Sequence, residues 1–330
     1  MISTSKNNHI ATIDLLRIVA ASGVVVFHSI SMFETLGFDF SRIQHYRSIL
    51  NSGVDLFFVL SGFVMFNSNV LDSKSPITFL KGRIRRLLPL YLFLTTATYL
   101  FFNISNSLAF SNTQFSFSHY FTSITFTSHF FGFLKPIVQQ GWTLEFEIIF
   151  YLIFAFTLNF SNQKFRIILP TVAIASLIFI FPSKLFMIEF LFGIYVGAIC
   201  QVKKPSKSLN FSLFFLTLFG LALTPFCKSN SVLVLMYGIF YSILIYWAVN
   251  SSNTKGLILQ TLGKISYPLY LVHGLVIGIV YQVLHQNSNM PLMFMLFISL
   301  GILLISLLIS YGLLKFFDYP VSTWMIKQGW

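Results

Sequence analysis

The feature that most constrains this chain is a succession of apolar runs, separated by short segments that carry most of the Lys and Arg. As a helix, about 20 apolar residues cross the ~30 Å hydrocarbon core of a bilayer. In hydrocarbon every backbone N–H and C=O must be paired internally, so only helices or closed barrels can cross. The alternating pattern of ~10-residue barrel strands is absent, so the runs predict helices. Ten are read, at 13–32, 53–70, 87–104, 142–160, 166–182, 185–201, 209–226, 231–249, 265–285 and 292–316. Composition agrees: 9% of the 330 residues are charged and 56% are hydrophobic, whereas soluble domains carry about 25% charge. A water-soluble core of this size could not hide that much apolar surface. The expected fold class is an all-α integral membrane protein, one domain over 1–330 with about ten transmembrane helices.

An even number of spans puts both termini on one side. Of the 21 Lys and Arg, fifteen then fall on that side, among them Lys74, Lys81, Arg83, Arg85, Arg86, Lys164, Arg166 and Lys264. Five fall on the other (Arg42, Arg47, Lys135, Lys184 and Lys228), and Arg17 lies inside the first span. This bias predicts both termini in the cytoplasm. The net charge of +12 is therefore read as cytoplasmic anchoring rather than nucleic-acid binding, for which no motif is present. Cys200 and Cys227 form neither a CxxC pair nor a disulfide framework. The histidines lack ligand spacing, so no metal is expected. The first run is followed by more spans and reads as an anchored helix rather than a cleaved signal. The stretch 105–141 is either a re-entrant segment or a plain surface loop.

Ionisable residues inside apolar runs point to function, because a membrane makes them expensive. Arg17 and His28 are eleven residues apart on the first run, which places them on one helix face, separated by ~16 Å. Counted down from the start of the fourth run, Glu147 reaches the depth of His28, as a carboxylate that could orient an imidazole base. Glu145 points to a different face and reads as a surface or interface carboxylate. Asp55 and Glu189 fall near the outer boundary. Ser61-Gly62 and Gly193 with Gly197 read as sites of close helix packing. His273 falls near mid-membrane, below a polar helix start with Ser266, Tyr267 and Tyr270. Arg83, Arg85 and Arg86 are either simple anchors or a clamp for phosphate, to which Arg offers a bidentate fork.

In this order the motifs resemble the acyltransferase 3 family of membrane-bound acyltransferases over almost the whole chain. Arg17 and His28 match its Arg-x10-His helix, and Gly53-Val54-Asp55-Leu56-Phe57-Phe58-Val59-Leu60-Ser61-Gly62-Phe63 its second-span signature. Arg83, Arg86 and Pro89 match Arg-x-x-Arg-x-x-Pro. Trp142-Thr143-Leu144 with Glu147 and Tyr151 matches Trp-Ser-Leu-x-x-Glu-x-x-x-Tyr, with Thr143 for Ser. Gly263 to His273 matches Gly-x-Ile-Ser-Tyr-x-x-Tyr-Leu-x-His, and Asp318-Tyr319-Pro320 the closing Glu-x-Pro with Asp for Glu.

The resemblance implies a ten-helix enzyme of the bacterial cytoplasmic membrane. It would move an acyl group, usually acetyl, from cytoplasmic acyl-CoA (acetyl-CoA) to a hydroxyl of a carbohydrate such as O-antigen, exopolysaccharide or a lipid-linked sugar. No permanently bound cofactor is implied. The chain ends eleven residues after Tyr319, so a stand-alone form without a fused hydrolase-like domain is expected. His28 would act as base or acyl relay, oriented by Glu147. Arg17, Arg83 and Arg86 would bind the donor, with Asp55, Ser61, Trp142, Tyr270 and His273 in support. The rival readings are a transporter or flippase for a glycan or small solute, which also needs intramembrane charges, and a scaffold within an export complex.

Overall fold

The computed structural model describes residues 10–67, 75–104, 115–202, 207–251, 256–284 and 290–330. Lys6, Lys74, Lys203, Lys204 and Lys255, and the first part of the 105–141 stretch, lie outside them. The described residues form helices and turns, with no strand among them. In chain order the helices are α1 (Ala11–Thr35), α2 (Gln44–Asn51), α3 (Gly53–Asn67), α4 (Pro76–Ile104), α5 (Phe117–Ile124), α6 (Trp142–Thr157), α7 (Phe165–Ile180), α8 (Ile188–Val202), α9 (Lys207–Leu223), α10 (Asn230–Ser251), α11 (Leu257–Leu284), α12 (Leu292–Leu313) and α13 (Tyr319–Lys327). A single π-helical turn, Leu314–Asp318, joins the last two.

Each of the ten apolar runs falls on a helix, and the chain is an all-α integral membrane protein. Eight stretches are long and apolar enough to cross a bilayer, with α2 and α3 contributing one of them jointly. The exceptions are α6 and α7, of 16 residues each. At 1.5 Å per residue each is about 24 Å long, short of the ~30 Å core. Two starts also differ from expectation. α4 begins at Pro76, so Arg83 and Arg86 lie inside a helix rather than in the loop before it. α11 begins at Leu257, so Gly263 and Lys264 are helical too.

The short α6 has a physical cause in the segment before it. Asn103 near the end of α4 pairs with Phe115 through both its side-chain amide and carbonyl, at 3.0 and 3.1 Å. Further down α4, Tyr99 stacks on Tyr120 at 4.5 Å. Thr96 then bonds the Tyr120 hydroxyl at 3.0 Å. Tyr91 donates to the Ser123 carbonyl at 3.0 Å and packs on Phe126. From Asn103 to Tyr91 is about 18 Å along the helix, so α5 and its flanks descend to the middle of α4. The described part of the 105–141 stretch thus folds back along α4, as the re-entrant reading expects. α6 starts from that depth, with Gly141 so close to the Tyr91 ring that a Cβ there would collide with it.

A similar descent occurs beside α1. Arg47 of α2 pairs with Glu34, and donates to Ser31 at 2.7 Å. Leu50 then packs on Gly23, and Gly53 on Ala20. α3 therefore also begins well inside the bundle. Its most extensive packing is with α8. A Cβ at Gly62 would collide with the Phe190 carbonyl oxygen, and one at Gly193 with that of Val59. Small residues at such a crossing let two backbones approach, which is how helices gain packing in lipid.

Candidate functional site

Two polar centres lie between α1, α3, α4, α6 and α11. The first is a cavity lined by Arg17 of α1, Ser61 of α3, Arg86 of α4, Thr143 and Glu147 of α6, and Ser266, Tyr267 and Tyr270 of α11. Glu147 accepts hydrogen bonds from Ser61 Oγ at 2.8 Å and from the Tyr151 hydroxyl. Tyr267 donates to the Leu87 carbonyl at 2.5 Å and ties α11 to α4. Arg86 is exposed, so the cavity has a cation at an open mouth. The cavity is small, about 60 Å³, and open to one side. Arg83, one turn from Arg86, lies outside this cavity. Its guanidinium sits over the rings of Phe79 and Tyr151, at 5.5 and 5.7 Å.

The second centre is the pair His28 and His273, whose rings stack at 5.3 Å. His28 is half-buried and His273 completely buried. His273 Nδ1 lies 3.2 Å from the Leu269 carbonyl oxygen, and its Nε2 lies 3.4 Å from the side-chain nitrogen of Gln140. The two centres meet at Tyr270. Its hydroxyl is 3.2 Å from that of Thr143, which donates to the Gln140 carbonyl at 3.0 Å. The Tyr270 ring is 6.0 Å from His273. Arg17 and His28 share a face of α1, and the first lies about 16 Å below the second.

The pairing of Glu147 with His28 drawn from sequence is not the arrangement in the fold. Glu147 bonds Ser61 and Tyr151, whereas the ring against His28 is that of His273. The depth argument assumed that the fourth run starts at the membrane edge. Because the re-entrant segment lowers its start, Glu147 reaches the level of Arg86 instead. Asp55 of α3 acts electrostatically on Glu189 of α8, which is completely buried. Trp142 packs edge-on against Phe58 and Phe186 in the core. Glu145 is buried rather than superficial. Its carboxylate accepts from the backbone N–H groups of Ser128 and His129, at 3.1 and 3.3 Å, and so pins the re-entrant segment.

Sequence reasoning missed Gln140, which precedes the Trp142 motif with nothing to mark it, and the buried setting of Glu145. The period of a helix reports which face a residue occupies, not how deep the helix starts. Near the far end of the segment, His129 accepts a hydrogen bond from Lys184. Burial, and then the Lys184 charge, hold its imidazole below the ordinary value. Among the described residues no cluster of His, Cys, Asp or Glu could hold a metal ion.

Residues 10–311 match a family model of the acyltransferase 3 type, described as "Acyltransferase domain". The chain is also 30% identical over 267 residues to "Exopolysaccharide production protein ExoZ" of Rhizobium meliloti (strain 1021), covering 72% of this chain and 80% of that one. No solved structure matches significantly.

Proposed function

This chain belongs to the acyltransferase 3 family, and from that premise we propose that it moves an acyl group, acetyl in the first instance, from cytoplasmic acyl-CoA to a hydroxyl of an exopolysaccharide or lipid-linked sugar. The acceptor class rests on the printed name of the R. meliloti relative. The compartment would be the bacterial cytoplasmic membrane, with both termini inside. The observation that carries the reading is one route with two chemistries. A cavity lined by Arg17, whose Nε is buried, and by the exposed Arg86 opens beside α1, whose face carries both Arg17 and, about 16 Å further along, the half-buried His28.

In this reading Arg86 and Arg17 meet the phosphates of the donor and Arg83 extends the cationic mouth. Glu147, held by Ser61 and Tyr151, lines the same cavity as the two arginines. The pantetheine arm bridges the offset to the histidine pair. His28 takes the proton of the acceptor hydroxyl as that oxygen attacks the thioester carbonyl carbon. The C–S bond then breaks, and the imidazolium returns the proton to the departing thiolate. The products are an ester and free CoA thiol. A general base contributes about 10²–10⁴ in rate.

The test is transfer by purified protein in lipid, from labelled acetyl-CoA to an exopolysaccharide extract. His28→Ala is expected to lose that factor in kcat while remaining folded. Arg86→Ala is expected to raise the donor KM with kcat retained. Full transfer by His28→Ala, or an unchanged donor KM in Arg86→Ala, would overturn the assignment.

A further inference from the structure

The two stacked imidazoles are not equivalent, and we propose that Gln140 is the positioning residue that makes them so. The inference rests on the acyl-transfer reading only for its kinetic consequence. Its structural part stands alone. His273 Nδ1 is 3.2 Å from a carbonyl oxygen, that of Leu269. A carbonyl can only accept, so Nδ1 carries the hydrogen. In the neutral ring Nε2 is then an acceptor, and the group facing it is the side-chain nitrogen of Gln140, a donor, at 3.4 Å. Both nitrogens of the neutral His273 ring are therefore engaged, which fixes its tautomer. His28 has no such partner among the described hydrogen bonds. Its contacts are the stacked His273 ring and the edge of Phe27.

The division of labour follows from this. A neutral, immobile His273 supplies a flat surface that fixes the His28 ring and adds no charge beside it. If His273 were protonated, an imidazolium would form on His28 against a second positive charge 5.3 Å away. Such like-charge proximity disfavours the proton transfer that the base must make. Other groups facing the pair do not substitute for Gln140. Lys135 acts on His28 electrostatically, Arg47 reaches it only through the Phe27 ring at 5.2 Å and is paired with Glu34, and Tyr270 is engaged with Thr143.

The fold makes room for the amide. Gly274 follows His273, and a Cβ there would collide with the Gln140 side-chain nitrogen. The same residue's carbonyl takes the Thr143 hydroxyl. Gln140 thus ties the foot of the re-entrant segment to both polar centres at once.

Two measurements test this, on the whole protein in lipid. First, ¹⁵N-histidine labelling, with His273→Asn to assign the signal, reports ring protonation directly. In wild type His273 is expected to stay neutral and protonated at Nδ1 from about pH 5 to 8. In Gln140→Met, which removes the donor to Nε2 while the ring stays buried, the Nδ1–H tautomer is expected to lose its dominance. Gly274→Ala, which displaces the amide without removing it, is expected to do the same. Titration of His273 in wild type, or no change in either variant, would overturn the inference even if transfer activity were never detected. Second, in the transfer assay, Gln140→Met is expected to lower kcat at least about tenfold, within the 10²–10⁴ of a base, and to leave donor KM unchanged. A fall in kcat at constant donor KM, together with the change of tautomer, is a combination that a merely structural defect would not produce. A changed KM with kcat retained would reassign Gln140 to substrate binding. Absence of transfer in every protein, with the NMR result as expected, would retire the acyl-transfer reading and leave the tautomer assignment intact.

Discussion

Replacing Gly62 by Ala probes the α3–α8 crossing, which places Ser61 against Glu147. A single added methyl would collide with the Phe190 carbonyl oxygen and press on the Gly193 Cα at 3.1 Å. The obstacle is backbone and cannot rotate aside, so the two helices must separate. Overpacking of this kind costs about 1–3 kcal/mol, and a backbone contact belongs at the upper end, at about 2–3 kcal/mol. For a chain of this length roughly 2 °C of midpoint is lost per kcal/mol, so Gly62→Ala should unfold about 4–6 °C below wild type. The assay is thermal unfolding in detergent by circular dichroism at one scan rate. Gly301→Ala is the control: it lies in α12 with nothing within 4 Å of the added carbon. There the helix propensity of Ala is neutral or favourable by up to about 1 kcal/mol. Because α3 also carries Ser61, Gly62→Ala should lose transfer activity more steeply than stability. A Gly62→Ala midpoint within 1 °C of the control would refute the reasoning, since the backbones could not then lie as close as described.

Three further outcomes follow from single contacts. Ser61→Ala removes one of two donors to the Glu147 carboxylate; hydrogen bonds to a charged group are worth about 1.5–3 kcal/mol, and a lower kcat/KM with normal membrane insertion is the expected reading. Glu145→Ala leaves the Ser128 and His129 N–H groups unpaired, and limited proteolysis should then cut the segment 127–135 faster than in wild type. For His129 the folded state disfavours the proton, because burial and Lys184 hold it below its ordinary value. The unfolded chain therefore binds more protons once the pH falls below about 6.5, so local stability is lost on acidification through that value, and His129→Gln should flatten the loss seen by hydrogen exchange.

The helices were legible in the sequence because ten apolar runs leave a hydrocarbon-buried backbone no alternative. The face shared by Arg17 and His28 was legible because period is a property of sequence. Depth was not. Whether α6 begins at the membrane edge or at the level of Tyr91 depends on how residues 115–141 pack on α4, through Asn103, Tyr99, Thr96 and Tyr91. Those contacts are long-range and leave no periodic trace. The error set Glu147 beside His28, whereas the fold puts it in the company of Arg17 and Arg86. Glu145 was misplaced for the same reason. Its face points to the 105–141 stretch, which the sequence left open between a re-entrant segment and a plain surface loop.

The central claim, that Arg86, Arg17 and His28 mark one donor route, is tested most directly by a structure of the protein in lipid with a non-hydrolysable acetyl-CoA thioether. The account predicts phosphates at Arg86 and Arg17, the arm along the α1 face, and the analogue's carbonyl carbon within reach of an acceptor oxygen, about 3–3.5 Å away, that His28 could deprotonate. An analogue bound away from both arginines, or one whose reactive end stops beside Glu147 without approaching His28, would contradict it.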